Sequence, residues 1–129
     1  MIIQQISIFA ENKPGAVAEA LAVLAEAKVQ LRAFTIADTA DFGIIRAIVD
    51  DAEKAAKWLR GNRYAVNVAN VLKLSIADEP GAFCEVLRKL GAANVNVEYS
   101  YGYVSQEPGR AEVVLKVDDS EAAERIIGN

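Results

Sequence analysis

The chain has 129 residues, 53% of them hydrophobic, and a formal net charge of −4. The hydrophobic content supports a compact core and excludes a disordered chain. Because the chain is acidic and has no run of Lys or Arg, it lacks the basic surface that nucleic-acid binding requires. The sequence has no histidine and one cysteine, Cys84. The commonest general base, the His-activated nucleophiles and most transition-metal sites are therefore missing. We expect neither an enzyme nor a bound cofactor.

The first half of the chain predicts the element order βαββαβ. Strands are predicted where apolar residues alternate, and helices where they recur every three or four positions. The predicted strands are residues 1–9, 29–37, 44–49 and 64–68, the predicted helices are residues 16–27 and 52–60, and residues 38–41 form a turn.

The second half predicts the same order without its last strand. Its strands are residues 71–76, 95–104 and 111–117, and its helices are residues 81–91 and 119–127. From Tyr64 to Ile76 the alternating apolar residues stay at even-numbered positions. We therefore expect the fourth strand of the first half to run directly into the next strand. Strict alternation puts five residues of the second strand on one face: Val95, Val97, Tyr99, Tyr101 and Tyr103.

The two halves are copies of one another. The segment IFAENKPGA at residues 8–16 returns as LSIADEPGA at residues 74–82, and VDD at residues 49–51 returns at residues 117–119. The two VDD segments are slightly farther apart in the sequence than the two loop segments. The second copy therefore contains a short insertion between its loop and its VDD segment. We expect two domains, residues 1–69 and 70–129, each so small that it is marginal without its neighbour.

The order βαββαβ with both helices on one face of the sheet is the ferredoxin-like arrangement of the α+β class. Right-handed crossovers give each copy the strand order 4-1-3-2. The second copy lacks its fourth strand, which leaves one side of its first strand with unpaired N–H and C=O groups. We expect another segment of the chain, or another chain, to pair with that strand.

No part of the sequence approaches the roughly 18 consecutive apolar residues of a membrane-spanning helix, and no secretory signal pattern opens it. A single cysteine suits a reducing compartment. We expect a cytoplasmic protein without a membrane partner.

The repeated loop carries a family resemblance. A strand followed by ENKPGA at residues 11–16, or by DEPGA at residues 78–82, resembles the ACT domain, a small regulatory module that binds amino acids. The segments IADTADFGIIRAIVDD at residues 36–51 and VNVEYSY at residues 95–101 resemble more specifically the free-standing proteins with two ACT domains and no catalytic domain. The resemblance covers essentially the whole chain and implies a duplicated ACT fold.

The repeated loop precedes a helix, where free backbone N–H groups and the positive end of the helix dipole attract a carboxylate. Glycine permits close approach of a ligand, and the oxygens of Asn12 and Asp78 could accept from an α-ammonium group. The ligand-binding residues predicted in the two loops are Asn12, Pro14, Gly15, Ala16, Asp78, Pro80, Gly81 and Ala82. Gly15, Ala16, Gly81 and Ala82 are the expected N–H donors.

In the ACT family, ligands commonly lie where two modules pack through their edge strands. The resemblance therefore implies that the second strand of each copy contributes to the site, through Arg32, Phe34, Asn96, Glu98 and Ser100. A purely structural interpretation stays open for the loops. Asn12 and Asp78 are the residue types that cap helices, and Pro14 and Pro80 are typical of a first helical turn.

The sequence therefore predicts a non-catalytic regulatory protein that binds a free amino acid and acts on a partner metabolic enzyme or through its own assembly. The alternative is an interaction module without a physiological ligand. Two units this small expose much apolar sheet surface, so we expect a homodimer.

Overall fold

The computed structural model describes residues 1–38 and 41–128, so that the middle of the predicted turn at residues 38–41 lies outside the described residues. The described residues form six strands, β1 (Ile2–Glu11), β2 (Leu31–Asp38), β3 (Phe42–Val49), β4 (Ala65–Ala77), β5 (Val97–Tyr103) and β6 (Arg110–Val117). They also form four helices, α1 (Ala16–Glu26), α2 (Ala52–Gly61), α3 (Ala82–Ala92) and α4 (Ser120–Ile127). None of these helices is long and apolar enough to cross a membrane.

The chain divides into two compact units. Gln4–Ala69 form the N-terminal unit, and Met1–Ile3 together with Asn70–Asn129 form the C-terminal unit. β4 is one uninterrupted strand of 13 residues. The prediction that the fourth strand of the first copy runs directly into the first strand of the second is therefore confirmed.

The N-terminal unit has the predicted ferredoxin-like topology. Its strands are hydrogen-bonded in the order β2-β3-β1-β4, and β1 and β2 are both antiparallel to β3. Ile6, Ile8 and Ile45 are fully buried and share one core with Leu24 of α1 and Leu59 of α2. Burial of each such side chain stabilises the unit by about 1.5–3 kcal/mol. Both helices therefore cover the same face of the sheet.

The C-terminal unit repeats this arrangement. Its strand order is β1-β4-β6-β5, with β6 antiparallel to β4 and β5. Leu72 and Leu74 of β4 and Leu115 of β6 are buried with Leu90 of α3 and Ala123 of α4. The predicted α+β class with duplicated ferredoxin-like units is thus confirmed.

The first strand of the second copy is not left unpaired. The Lys73 N–H donates to the Met1 carbonyl (2.8 Å), and the Met1 nitrogen donates to the Lys73 carbonyl (3.2 Å). Two residues that exchange both main-chain bonds form an antiparallel hydrogen-bonded pair. Ile2 also packs against the core of the C-terminal unit. The expected cover is therefore a segment of the same chain, Met1–Ile3.

A register shift interrupts the edge strand of each unit at the same place. It falls between Leu31 and Ala33 in β2 and between Val97 and Tyr99 in β5. An extra residue reverses the sheet face to which the following side chains point. Val97 therefore packs on the helix side, and the three tyrosines of β5 face the opposite side. The prediction that these tyrosines share a face with Val95 and Val97 was wrong, because it assumed unbroken alternation.

Candidate functional site

The loops that precede α1 and α3 have the same backbone geometry, and we call them the first loop (residues 12–15) and the second loop (residues 78–81). Gly15 and Gly81 have φ of 84° and 86°, a left-handed conformation that favours glycine. In the first loop the Ala16 N–H donates to the Lys13 carbonyl (3.2 Å), and in the second the Ala82 N–H donates to the equivalent carbonyl (3.3 Å). The duplication therefore preserved a tight turn that ends on a glycine.

These two helices begin without a side-chain cap. Gly15 and Gly81 occupy the N-cap positions and no side chain bonds there. By contrast, the carboxylates of Asp51 and Asp119 cap α2 and α4. The interpretation of Asn12 and Asp78 as helix caps was wrong, since the turn places glycine at the cap. Pro14 and Pro80 likewise precede the helices instead of lying in their first turns.

The turn also changes which N–H groups are available at the first loop. The Ala16 N–H is already bonded, and the helical ladder begins with the bond from the Glu19 N–H to the Gly15 carbonyl (3.0 Å). The N–H groups of Val17 and Ala18 precede that ladder and have no acceptor within the helix. The N–H groups of Ala16 and Ala82, two of the four predicted donors, are therefore bonded within the turns. The N–H groups one and two residues farther along each helix precede the helical ladder.

A groove of about 200 Å³ lies beside the first loop, within the N-terminal unit. Its lining residues are Phe9, Ala10, Glu11, Lys13, Ala16, Glu19, Arg63 and Tyr64. Lys13 and Glu11 form an ion pair at 3.2 Å across its rim. Of the predicted ligand residues, only Ala16 lines this groove. Arg63 and Tyr64 were not predicted from the sequence; they follow the end of α2 and line the groove through the packing of this unit.

The two loops differ in charge. The first carries Asn12 and Lys13, whereas the corresponding residues of the second are Asp78 and Glu79. A carboxylate ligand is attracted by Lys13 and repelled by the two acids of the second loop. The two loops therefore have the same backbone but opposite electrostatic preference for an anion.

The residues predicted on the second strand of the first copy lie away from the groove. Arg32 is exposed at the register shift of β2, and Phe34 is 56% exposed on the same edge strand. Neither lines the groove beside the first loop.

The corresponding residues of the second copy have local partners. The Asn96 N–H donates to Oδ1 of Asp118 (3.0 Å), and Glu98 forms an ion pair with Lys116 (3.7 Å). Ser100 is exposed on β5. Among the described residues of this unit, no hydrogen bond or ion pair joins any of these three residues to the second loop. Over residues 1–38 and 41–128, no group of three or more His, Cys, Asp or Glu side chains could hold a metal ion.

Comparison with known proteins agrees with this architecture. The family model described as an ACT domain pair matches residues 1–129, and no curated protein matches the chain. The crystal structure of protein BT0572 from Bacteroides thetaiotaomicron is 39% identical, with a TM-score of 0.91 over 99% of this chain and 88% of that one.

Two more distant structures share the fold. The regulatory subunit of aspartate kinase from Thermus thermophilus is 17% identical, with a TM-score of 0.66 over 99% of this chain and 93% of that one. The aspartate kinase from Synechocystis is 21% identical, with a TM-score of 0.59 over 96% of this chain and 24% of that one. Because the family model matches the chain from residue 1 to residue 129, the chain belongs to the family of ACT domain pairs.

Proposed function

We propose that the chain is a non-catalytic regulatory protein that binds a free α-amino acid at the first loop. The observation that carries this proposal is the uncapped start of α1 beside a groove with charged walls. Membership of the ACT family supports a regulatory role. The regulatory subunit of an aspartate kinase, which has the same fold, provides an example of such a role in another protein.

The start of α1 and the groove beside it together provide partners for both charged groups of an amino acid. The N–H groups of Val17 and Ala18, at the positive end of the α1 dipole, would bind the α-carboxylate, and Lys13 adds a positive charge. The carboxylates of Glu11 and Glu19 would accept from the α-ammonium group. Binding of this kind orders a ligand without any bond being made or broken.

We propose further that the two loops are not equivalent. Asp78 and Glu79 place two negative charges where the first loop carries Asn12 and Lys13. Repulsion of the ligand carboxylate weakens the second loop as a site. One amino acid is therefore expected for each chain at the loops.

Isothermal titration calorimetry of the full chain against each of the twenty amino acids tests the proposal. We expect saturable binding of at least one amino acid, with a stoichiometry near one at the loops. If no amino acid gives heat of binding at millimolar concentration, the ligand-binding role is wrong.

A second candidate function, an interaction module, is favoured by the edge strand β2. Phe34 and Ile36 are 56% and 51% exposed on its helix side, and none of the described strands pairs with the outer backbone edge of β2. An exposed apolar edge of this kind pairs readily with another chain. We propose that β2 forms the contact of a homodimer or of a partner enzyme.

Light scattering of Phe34→Asp beside the wild type tests this contact. We expect a dimer for the wild type and a monomer for the variant, because the charge is costly to bury at an apolar edge. Phe42→Asp, also at an exposed phenylalanine but on β3, is the matched control. A wild type of 13.9 kDa in solution would contradict the homodimer.

A further inference from the structure

Five side chains of the C-terminal unit form a polar cluster on the sheet face opposite its helices. They are Lys73 and Ser75 of β4, Tyr103 of β5, and Arg110 and Glu112 of β6. The residues next to Lys73 and Glu112 pack in the helix-side core, so alternation along the strands turns these two side chains to the other face. Cross-strand pairing places Ser75 and Tyr103 beside Glu112.

The members of the polar cluster hold one another in place. Nζ of Lys73 lies 3.6 Å from Oε1 of Glu112 and 4.1 Å from the centroid of the Tyr103 ring. The Lys73 and Glu112 side chains are only 22% and 23% exposed. Arg110 donates from Nε to Oγ of Ser75 (3.1 Å) and from Nη2 to the Ser75 carbonyl (2.9 Å). Several side chains are therefore fixed before any ligand arrives.

The polar cluster carries one positive charge in excess. Glu112 balances Lys73, and no carboxylate among the described residues forms an ion pair with Arg110. Two of the five N–H donors of the guanidinium are bonded to Ser75. The donors that remain on Nη1 and Nη2 form the fork that binds a carboxylate in bidentate fashion.

A cavity of about 200 Å³ lies against the polar cluster, lined by Met1, Lys73, Ser75 and Glu112. Arg110 is one hydrogen bond away from this wall through Ser75. Met1 is the one hydrophobic residue of the lining, and its terminal ammonium group forms an ion pair with Glu124 (3.5 Å). The cavity thus combines a cation, a carboxylate and a small apolar wall.

The fold itself does not require this cluster. When the copies are aligned on the repeated loop and on the repeated VDD, the five corresponding positions of the first copy are Ser7, Phe9, Ala37, Phe42 and Ile44. None of them is charged, and the ferredoxin-like unit forms there equally well. At these five positions the first copy therefore has four apolar residues and one serine, whereas the second copy carries the polar cluster.

We propose that the polar cluster is a second small-molecule site, which binds a zwitterionic α-amino acid with a small side chain. The carboxylate binds to the free fork of Arg110 and to Lys73, and the ammonium group binds to Glu112. The ligand side chain packs against Met1, and the ligand carboxylate supplies the ion pair that Arg110 lacks within the chain. This site is separate from the first loop and does not depend on it.

A nuclear magnetic resonance titration of the isotope-labelled full chain tests the proposal, with L-alanine and with propionate, which lacks the ammonium group. With L-alanine we expect saturable shifts at the amides of Lys73, Ser75 and Glu112 and at the Tyr103 ring, and weaker binding of propionate. Shifts confined to residues 13–19 would support the first loop and overturn the present proposal. Absence of saturable shifts at the polar cluster would also overturn it.

Variants identify the roles within the site. Arg110→Gln is expected to bind L-alanine roughly tenfold to hundredfold more weakly, because it loses charge-assisted hydrogen bonds, and Arg88→Gln on the exposed face of α3 is expected to bind as the wild type does. Glu112→Gln is expected to lose the preference for L-alanine over propionate. Unchanged affinity in folded Arg110→Gln would overturn the proposal, and the wild-type titration decides alone if that variant does not fold.

Discussion

The main-chain N–H of Ile2 donates to Oε2 of Glu124 at 3.0 Å, across 122 positions of sequence. One end of the chain is thereby tied to α4, at the other end. The same three-residue segment pairs with Lys73 through its main chain. The C-terminal unit is therefore completed by the first three residues of the chain.

Replacing Glu124 by alanine removes the acceptor and leaves the part-buried Ile2 N–H without a partner. We expect the free energy of unfolding to fall by about 1–2 kcal/mol, a modest loss because the Glu124 side chain is 39% exposed. Glu121→Ala, an exposed residue of the same helix, is the control, with an expected change of about 0.5 kcal/mol or less. Equal losses in the two variants by urea denaturation would argue against the anchoring role.

Deleting residues 1–3 exposes the edge of β4 that Met1 covers. We expect the Lys73 amide to lose its protection against hydrogen exchange, because its acceptor is the Met1 carbonyl. The amides of Ile8 and Ile45, which face each other within the N-terminal unit, are expected to stay protected. A Lys73 amide that exchanges as slowly in the shortened chain as in the full chain would contradict the pairing.

Gly15→Ala puts a Cβ on a residue at φ 84°, although no atom lies within 4 Å of that position. The strain of the left-handed backbone alone is expected to destabilise the protein by about 1–2 kcal/mol. Gly61→Ala also meets open space, but Gly61 lies in α2, and the helix propensity of alanine predicts no loss. Thermal unfolding of the two variants measures the difference, and similar midpoints would mean that Gly15 relaxes without cost.

One hydrogen bond occurs at corresponding places in the two copies, and its contribution to stability can be measured in each copy. Asp50 accepts from the Gln30 N–H (3.1 Å), and Asp118 accepts from the Asn96 N–H (3.0 Å), in the corresponding places of the two copies. We expect Asp50→Ala and Asp118→Ala each to cost about 0.5–1.5 kcal/mol in unfolding free energy, with additive effects in the double variant because the bonds share no residue. A marked departure from additivity would show coupling between the two.

The repeat made most of the fold predictable. The shared loop and the shared spacing of apolar residues identified two ferredoxin-like units, and the common phase from Tyr64 to Ile76 predicted the continuous β4. The pairing of Met1 with Lys73 could not be predicted in this way, because alternation indicates which residues share a face of a strand but not which segment pairs with that strand. The bulges were missed for a related reason, since one extra residue at Arg32 or Glu98 leaves no local sign in the sequence.

The site was predicted less well than the fold. The loop and its glycines were identified correctly as the start of a helix, but the cap and the donors depend on the positive φ of Gly15. Glycine permits that conformation without requiring it. Arg63 and Tyr64 meet the first loop only through the packing of the N-terminal unit, which no spacing within one element reveals.

Calorimetric comparison of Gly15→Val with Gly81→Val tests most directly the claim that an amino acid binds at the first loop. The two substitutions impose the same backbone strain at corresponding positions, with φ of 84° and 86°. For whichever amino acid binds the wild type at the loops, we predict that Gly15→Val loses binding and that Gly81→Val retains it. Loss of binding in Gly81→Val with retention in Gly15→Val, or equal affinity in both, would contradict the account.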